Sequence, residues 1–463
     1  MRLSSSTLTL LSLPTIRAMS TTIPVTSLSP THFTTPFLTD PLVSVTSTGT
    51  TPLRQVSPNP NTIFSAPMPL TPLPSPTLHS VDPRTLALLG ITPPTTAAET
   101  TLLTSYLSGS SLPPGSTPSS HCYAGHQFGS FSGQLGDGAN LNLGVANSLQ
   151  LQLKGSGKTP YSRTADGRKV LRSTIREYLG SVFMDRAAVP TTLGLSLAVS
   201  DQTIQRDKYY TGQVTREQMA VVGRVAPSFF RFGSFEIFKT EDDKTRRAGP
   251  NPDDFEMAGN LYQHIVQTYF PDVASPKEFI LEQARTTASL FALWHCIGFT
   301  HGVLNTDNMS LHGLTIDYGP YGFQEGYDPM HTPNGSDNGQ RYAFEKQREI
   351  GLWNLNKLAE VLKGCKVLPE LYDKEINDRY DEEYDRVFNE KVSNTERPAQ
   401  ALLTQLFLLF TLPPFVHTVF VADASQAGPR SSQPRTQHAP VLGPHRNSVR
   451  LHRHLSRPRD LRD

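Results

Sequence analysis

Between Lys277 and Phe299, apolar side chains at Phe279, Leu281, Ala284, Ala288, Phe291 and Trp294 recur near the spacing of one helical face. One long helix is predicted there. It runs straight into HGVLNTDNMSLHGLTIDYG, His301 to Gly319, where His, Asn and Asp are spaced between short apolar groups. A polar loop delivered by a rigid helix is held in one place, so this hand-off is the strongest local constraint on the fold. Upstream, from Ser132 to Thr300, glycine turns, period-two strands and amphipathic helices alternate as in a mixed α/β domain. Downstream, a helical run over Leu352–Leu362 precedes an acidic, tyrosine-bearing segment from Glu370 to Glu390.

The chain has 463 residues, enough for one large two-lobed domain with a substantial core. Cys122, Cys296 and Cys365 are too scattered for a disulfide framework or a zinc site. A net charge of +1 supplies no chain-wide field of one sign, so neither nucleic acid nor a membrane surface is expected as a partner. The apolar run Ala401–Ala422 is broken by Pro413, Pro414 and His417, so no membrane span is expected.

The first forty residues contain Arg2 and Arg17, many Ser and Thr, and no acidic residue before Asp40, a transit-peptide composition. The expected destination is mitochondrial, with a cytoplasmic location the alternative if the chain starts at Met19. Ser, Thr and Pro dominate up to about Pro76, which favours extended, poorly packed chain, and order is expected from about Leu86. From Asp423 the chain is rich in Arg, His, Pro and Ser and cannot build a core. The expected organisation is a transit-like segment over 1–76, a folded domain over 77–422 and a disordered basic tail over 423–463.

Chemistry-bearing residues appear in order along the domain. GQLGDGAN, Gly133–Asn140, has glycines whose backbone can approach phosphate oxygens, although the same residues also read as a plain β-turn. LQLQLK alternates as a half-buried strand ending at Lys154. In the helix that follows, Leu171, Ile175, Leu179 and Val182 share a face with Glu177 near its edge. A strand lysine paired to a helix glutamate is the kinase device for holding a triphosphate. Asp166-Gly167-Arg168 forms a turn open to a nucleotide or to a purely structural role. Arg224 and Arg231 fall on one side if their segment is helical, and two guanidiniums can clamp phosphate oxygens. Against the kinase pattern H-R-D-x-x-x-x-N, His301 and Asn308 fit and Asp317-Tyr318-Gly319 reads as a DFG variant, but Val303 stands where the catalytic aspartate belongs. Asn308 and Asp317 are hard oxygen donors suited to Mg2+. Asp307, the one carboxylate of that loop, is the candidate base.

The strings YAGHQFGSFSGQLGDG, QLKGSGKTPYSRTADGRKVLRSTIREYLGS, RVAPSFFRFGSFE and HGVLNTDNMSLHGLTIDYGPYGF resemble the selenoprotein O family of protein adenylyltransferases over roughly Leu70–Leu362. The resemblance implies an α+β, protein-kinase-like two-lobed fold with disordered N- and C-terminal segments. It implies ATP bound flipped relative to a kinase, so that AMP moves to Ser, Thr or Tyr hydroxyls of other proteins. By the same resemblance Gly136, Gly138, Lys154, Asp166, Gly167, Arg224 and Arg231 contact ATP, Glu177 pairs with Lys154, Asp307 accepts the proton, and Asn308 with Asp317 binds Mg2+. Conventional phosphoryl transfer and an inactive ATP-binding scaffold are the competing readings. Two departures stand out: Ala139 replaces an arginine of the family pattern, and beyond about Lys391 the familiar continuation, with its terminal cysteine or selenocysteine element, is not seen, so an incomplete second lobe is expected. Oligomeric state is not written in the sequence.

Overall fold

The computed structural model describes residues 22–34, 39–40, 63–65, 67–208 and 211–393. The expectations for the transit-like first residues, the run Ala401–Ala422 and the basic tail lie outside these.

One antiparallel sheet organises the first lobe, with strands in the order Pro76–Val81, Leu193–Asp207, Val214–Ala226, Leu149–Lys154, Asn140–Ala146, and Lys169–Val170 pairing with Val214–Ala226. Leu149, Leu151 and Leu153 point to one face and pack with Leu86, Leu89, Leu143 and Leu195 in the core of this lobe. The LQLQLK strand is not half exposed as its alternation suggests. Its polar residues Gln150 and Gln152 are also buried, because the opposite face of the sheet looks into the protein. That face carries the candidate site.

The second lobe is helical. The long helix spans Pro276–Cys296, started by Pro276 and by the Ser275 side chain, which accepts from the Glu278 N–H. Phe279, Ala284, Ala288, Phe291 and Trp294 are all buried in the lobe's core together with Phe235, Leu355 and Tyr380. As the spacing predicts, the helix hands the chain to the His301 stretch. Trp294 seats that stretch, with its Nε1 donating to Thr315 Oγ1 at 3.0 Å and its ring stacked on His301. Helices Gln347–Gly364 and Asp373–Ser393 fill the places of the two downstream runs. The fold is thus α+β and two-lobed, a sheet lobe against a helical lobe. Among the described residues no helix is long and apolar enough to cross a membrane.

Two expectations need correction. Packed chain begins before Leu86: Val25 and Phe33 are buried against the sheet lobe, and Ile63 and Phe64 against the helical core, because scattered apolar residues in a Pro-rich segment can fill grooves without forming elements of their own. The segment holding Arg224 and Arg231 is not one helix: Arg224 lies in the strand Val214–Ala226, and Arg231 caps the short helix Phe232–Glu236. The stripe Leu171, Ile175, Leu179 and Val182 packs on the sheet as its spacing predicts, with Glu177 buried at its edge.

His312 gives a readable acid response. Its Nε2 lies 2.6 Å from Ser228 Oγ and its ring stacks on Phe270, and burial lowers its pKa to about 4 from an ordinary 6.5. The neutral ring is favoured in the fold, so the unfolded chain binds the extra proton between these values; the contribution is complete above pH 6.5 and lost as pH falls through 4. We expect urea unfolding at pH 7 and pH 4 to differ by on the order of 3 kcal/mol from this residue, a difference that His312→Asn should largely remove.

Candidate active site

Register builds the site. Arg224 is the direct cross-strand partner of Gln152, so both share the inward face with Lys154, two residues further along the same strand. Gln152 Oε1 accepts from Arg224 Nε at 3.1 Å and fixes the guanidinium. The helix Leu171–Arg186 brings Glu177 beneath them: its Oε1 lies 3.0 Å from Lys154 Nζ and 2.8 Å from Arg224 Nη1, and its Oε2 lies 3.0 Å from Lys169 Nζ. From the other lobe, Asp317 meets the same cations. Its Oδ1 lies 2.8 Å from Lys154 Nζ and bonds Arg224 Nη1, and its Oδ2 lies 3.4 Å from Arg231 Nη1. Asp317 holds a φ of +60°, a left-handed conformation that aspartate tolerates better than most residues.

Arg231 ties this cluster to the loop behind it. Its side chain is fully buried, donates to the Asp307 carbonyl at 2.7 Å, lies 3.8 Å from Asp137 Oδ1 and stacks on Tyr123. Asp137 sits in the glycine-rich segment, buried, and accepts from Asn140 Nδ2 at 3.0 Å. Gly136 has a φ of +145°, and a Cβ there would fall 2.4 Å from the Tyr161 ring, so no other residue fits. The Gly138 carbonyl accepts from Ser162 Oγ at 2.5 Å. The glycine segment is therefore a packed, non-substitutable loop beside the cations.

The electrostatics follow from burial and charge. Burial raises the Glu177 carboxyl, yet Lys154, Lys169 and Arg224 together bring it down to about 2. Asp317 is likewise buried, and Lys154, Arg224 and Arg231 hold it well below the usual carboxylate range. Asp137 goes the other way, raised by burial despite Arg231. Asp307 is raised to about 7, by burial first and with Glu236 adding to it against the pull of Arg231. One buried carboxyl thus titrates near neutrality beside a concentration of fixed cations, the combination found where protons are moved.

Lys154, Glu177, Arg224, Arg231, Asp307 and Asp317 are brought together, with Gly136 and Gly138 alongside. Asn308 follows Asp307 in the loop: its Nδ2 donates to the Val303 carbonyl at 2.9 Å, which leaves its Oδ1 as a neutral hard donor. Among the described residues no group of three or more His, Cys, Asp or Glu could hold a metal. Two protein oxygens with phosphate and water completing the shell nevertheless fit Mg2+, which keeps much of its own hydration. Asp166 stands apart. Its carboxylate is engaged by Arg206 at 2.7 and 2.9 Å and by the Arg168 N–H at 2.9 Å, and Gly167 contributes a carbonyl to the Gly157 N–H. A cavity of about 990 Å³, lined by Tyr269, Phe270, His312 and Arg386 among others, shares no residue with this cluster.

Gln152, Lys169 and Asp137 were not singled out from the sequence. The signal for Gln152 is the alternation of LQLQLK itself, which puts it on the lysine's face. Asp137 lies within the glycine-rich pattern, which was read for its glycines, and for Lys169 no local pattern exists.

Removing the Glu177 carboxylate leaves Lys154, Lys169 and Arg224 crowded without it. We expect Glu177→Ala to cost about 3–5 kcal/mol in denaturant unfolding, partly recovered at high salt.

The protein-family profile described as "Protein adenylyltransferase SelO" matches residues 56–436, extending on both sides of the region whose motifs are visible by eye. The human protein named "Protein adenylyltransferase SelO, mitochondrial" is 45% identical over 361 residues, covering 71% of this chain and 54% of its own length. Its mouse counterpart is 44% identical over 351 residues, with 72% and 52% covered. "Protein nucleotidyltransferase YdiU" of Methylobacillus flagellatus is 42% identical over 342 residues, covering 69% of this chain and 64% of its own. The chain spans about half the length of the vertebrate relatives it matches.

Proposed function

We propose, since this chain belongs to the SelO family, that it is a protein adenylyltransferase moving AMP from ATP to Ser, Thr or Tyr hydroxyls of other proteins. The observation that carries the reading is the convergence of Lys154, Arg224 and Arg231 on Asp317 beside the buried Asp307. In the proposed reaction Gly136 and Gly138 let the backbone approach the phosphates, and Lys154, Arg224 and Arg231 offset charge building on the α-phosphorus and on the leaving diphosphate. Asp166, held by Arg206, and Gly167, bonded to Gly157, shape the turn that follows Lys154. Glu177 holds Lys154. Mg2+, bound through Asn308, Asp317 and phosphate oxygens, would supply further positive charge and fix the triphosphate's orientation.

Asp307 takes the proton from the acceptor hydroxyl as the freed oxygen bonds to the α-phosphorus. The bond from that phosphorus to the oxygen bridging to the β-phosphate breaks, and its electron pair leaves with diphosphate. Atoms and charge balance without any other reactant. The acid-free, Arg-bearing start of the chain and the names of the human and mouse relatives support a mitochondrial destination; imaging of the full chain carrying a C-terminal tag is the check, and a purely cytosolic signal overturns it.

Incubation of the full chain with MgATP and a pool of Ser, Thr and Tyr peptides should transfer label from the α-phosphate and none from the γ-phosphate. Transfer of γ-label would establish conventional phosphoryl transfer, and ATP binding without either transfer would establish a scaffold. Asp307→Asn should lower the rate roughly 10²- to 10⁴-fold with ATP binding retained.

A further inference from the structure

The strand Ala124–Gln127 and the turn after it grip the Asp307 loop residue by residue. At Gly125 a Cβ would lie 2.9 Å from Asp307 Oδ1, so the strand backbone is pressed against the carboxylate. His126 donates its backbone N–H to Thr306 Oγ1 at 2.7 Å, and Glu236 accepts from that hydroxyl while pairing with His126 Nδ1. Phe128 donates its N–H to Tyr342 Oη at 2.8 Å, and Tyr342 donates to Asn305 Oδ1 at 2.6 Å. Residues 305, 306 and 307 are therefore all held from one side.

Gln127 supplies the contact to the carboxylate. Its Nε2 donates to Asp307 Oδ2 at 3.4 Å. Ser132 donates its hydroxyl to Gln127 Oε1 at 3.3 Å, which fixes the amide with its nitrogen toward Asp307. The two carboxylate oxygens are thereby unequal, for Oδ1 is buried and has no hydrogen-bond partner. An orphan acceptor in a buried position is costly unless it has a use.

We infer that Gln127 is a positioning residue for Asp307: its amide on Oδ2, with the Gly125 backbone against Oδ1, fixes the rotation of the carboxylate that receives the acceptor's proton. The inference rests on the reading of Asp307 as the base. It makes Gln127 act through Asp307 and leaves nucleotide binding to the cation cluster. The full chain, MgATP and the same peptide pool test it by steady-state diphosphate release. Gln127→Ala should lower kcat about 10- to 30-fold with KM for ATP unchanged, since a misplaced catalytic group costs rate rather than binding. Gln127→Asn, which retains the amide on a shorter arm, should recover part of the loss. In an Asp307→Asn background Gln127→Ala should cost nothing further, because its partner's role is already gone. A wild-type kcat in Gln127→Ala, or a loss that adds fully to that of Asp307→Asn, overturns the inference while leaving the base assignment standing. A wild-type kcat in Asp307→Asn overturns both.

Discussion

Everything at the centre of this protein depends on three cations from the sheet lobe and its edge meeting one carboxylate from the helical lobe. Lys154, Arg224 and Arg231 are drawn from two strands and a helix cap, and Asp317 from the far end of the His301 stretch. Buried charges of this kind rarely raise stability over what apolar packing would give, since each ion forfeits its hydration. Their arrangement is instead a constraint on everything around them. The strand pair must keep Arg224 opposite Gln152, the helix Leu171–Arg186 must bury Glu177 beside its apolar stripe, and Asp317 must accept a left-handed backbone. Three departures from local preference serve one electrostatic centre, which is where such departures are expected to collect.

The linear pattern exposed the participants whose partners are implied by spacing. Lys154 at a strand end, Glu177 on the next helix and Asp317 after a polar loop were legible because each position has a periodicity around it. Period two says which residues share a face but not whether water covers that face, so Gln150 and Gln152 read as solvent-facing when they are buried. Glu177 is a related case: it lies at the edge of the apolar stripe Leu171, Ile175, Leu179 and Val182, and its burial rests on three cations that the stripe does not reveal. Arg224 and Arg231 come together for a reason unrelated to helical spacing, through strand register and a helix cap. Asp166 looked free in sequence only because Arg206, forty residues on along another strand, is invisible to local reading. Lys169, eight residues before Glu177, and Asp137, in the glycine-rich loop, reach the site through tertiary contacts that carry no periodicity.

The sequence's most conspicuous irregularity, Val303 in place of a loop aspartate, now has a physical account. The backbone at Val303 is occupied on both sides, its N–H donating to His301 Nδ1 at 3.3 Å and its carbonyl accepting from Asn308 Nδ2 at 2.9 Å. That residue braces the loop and orients Asn308, tasks that belong to the main chain and leave its side chain free to be apolar. The carboxylate of the loop is carried four residues later, where the surroundings differ: Asp307 is walled by Gly125 and Gln127, with Arg231 on its carbonyl. At position 307 it lies under the strand Ala124–Gln127 and next to the buried Arg231, so the one carboxylate of the loop is set among fixed cations rather than at the turn that braces Asn308.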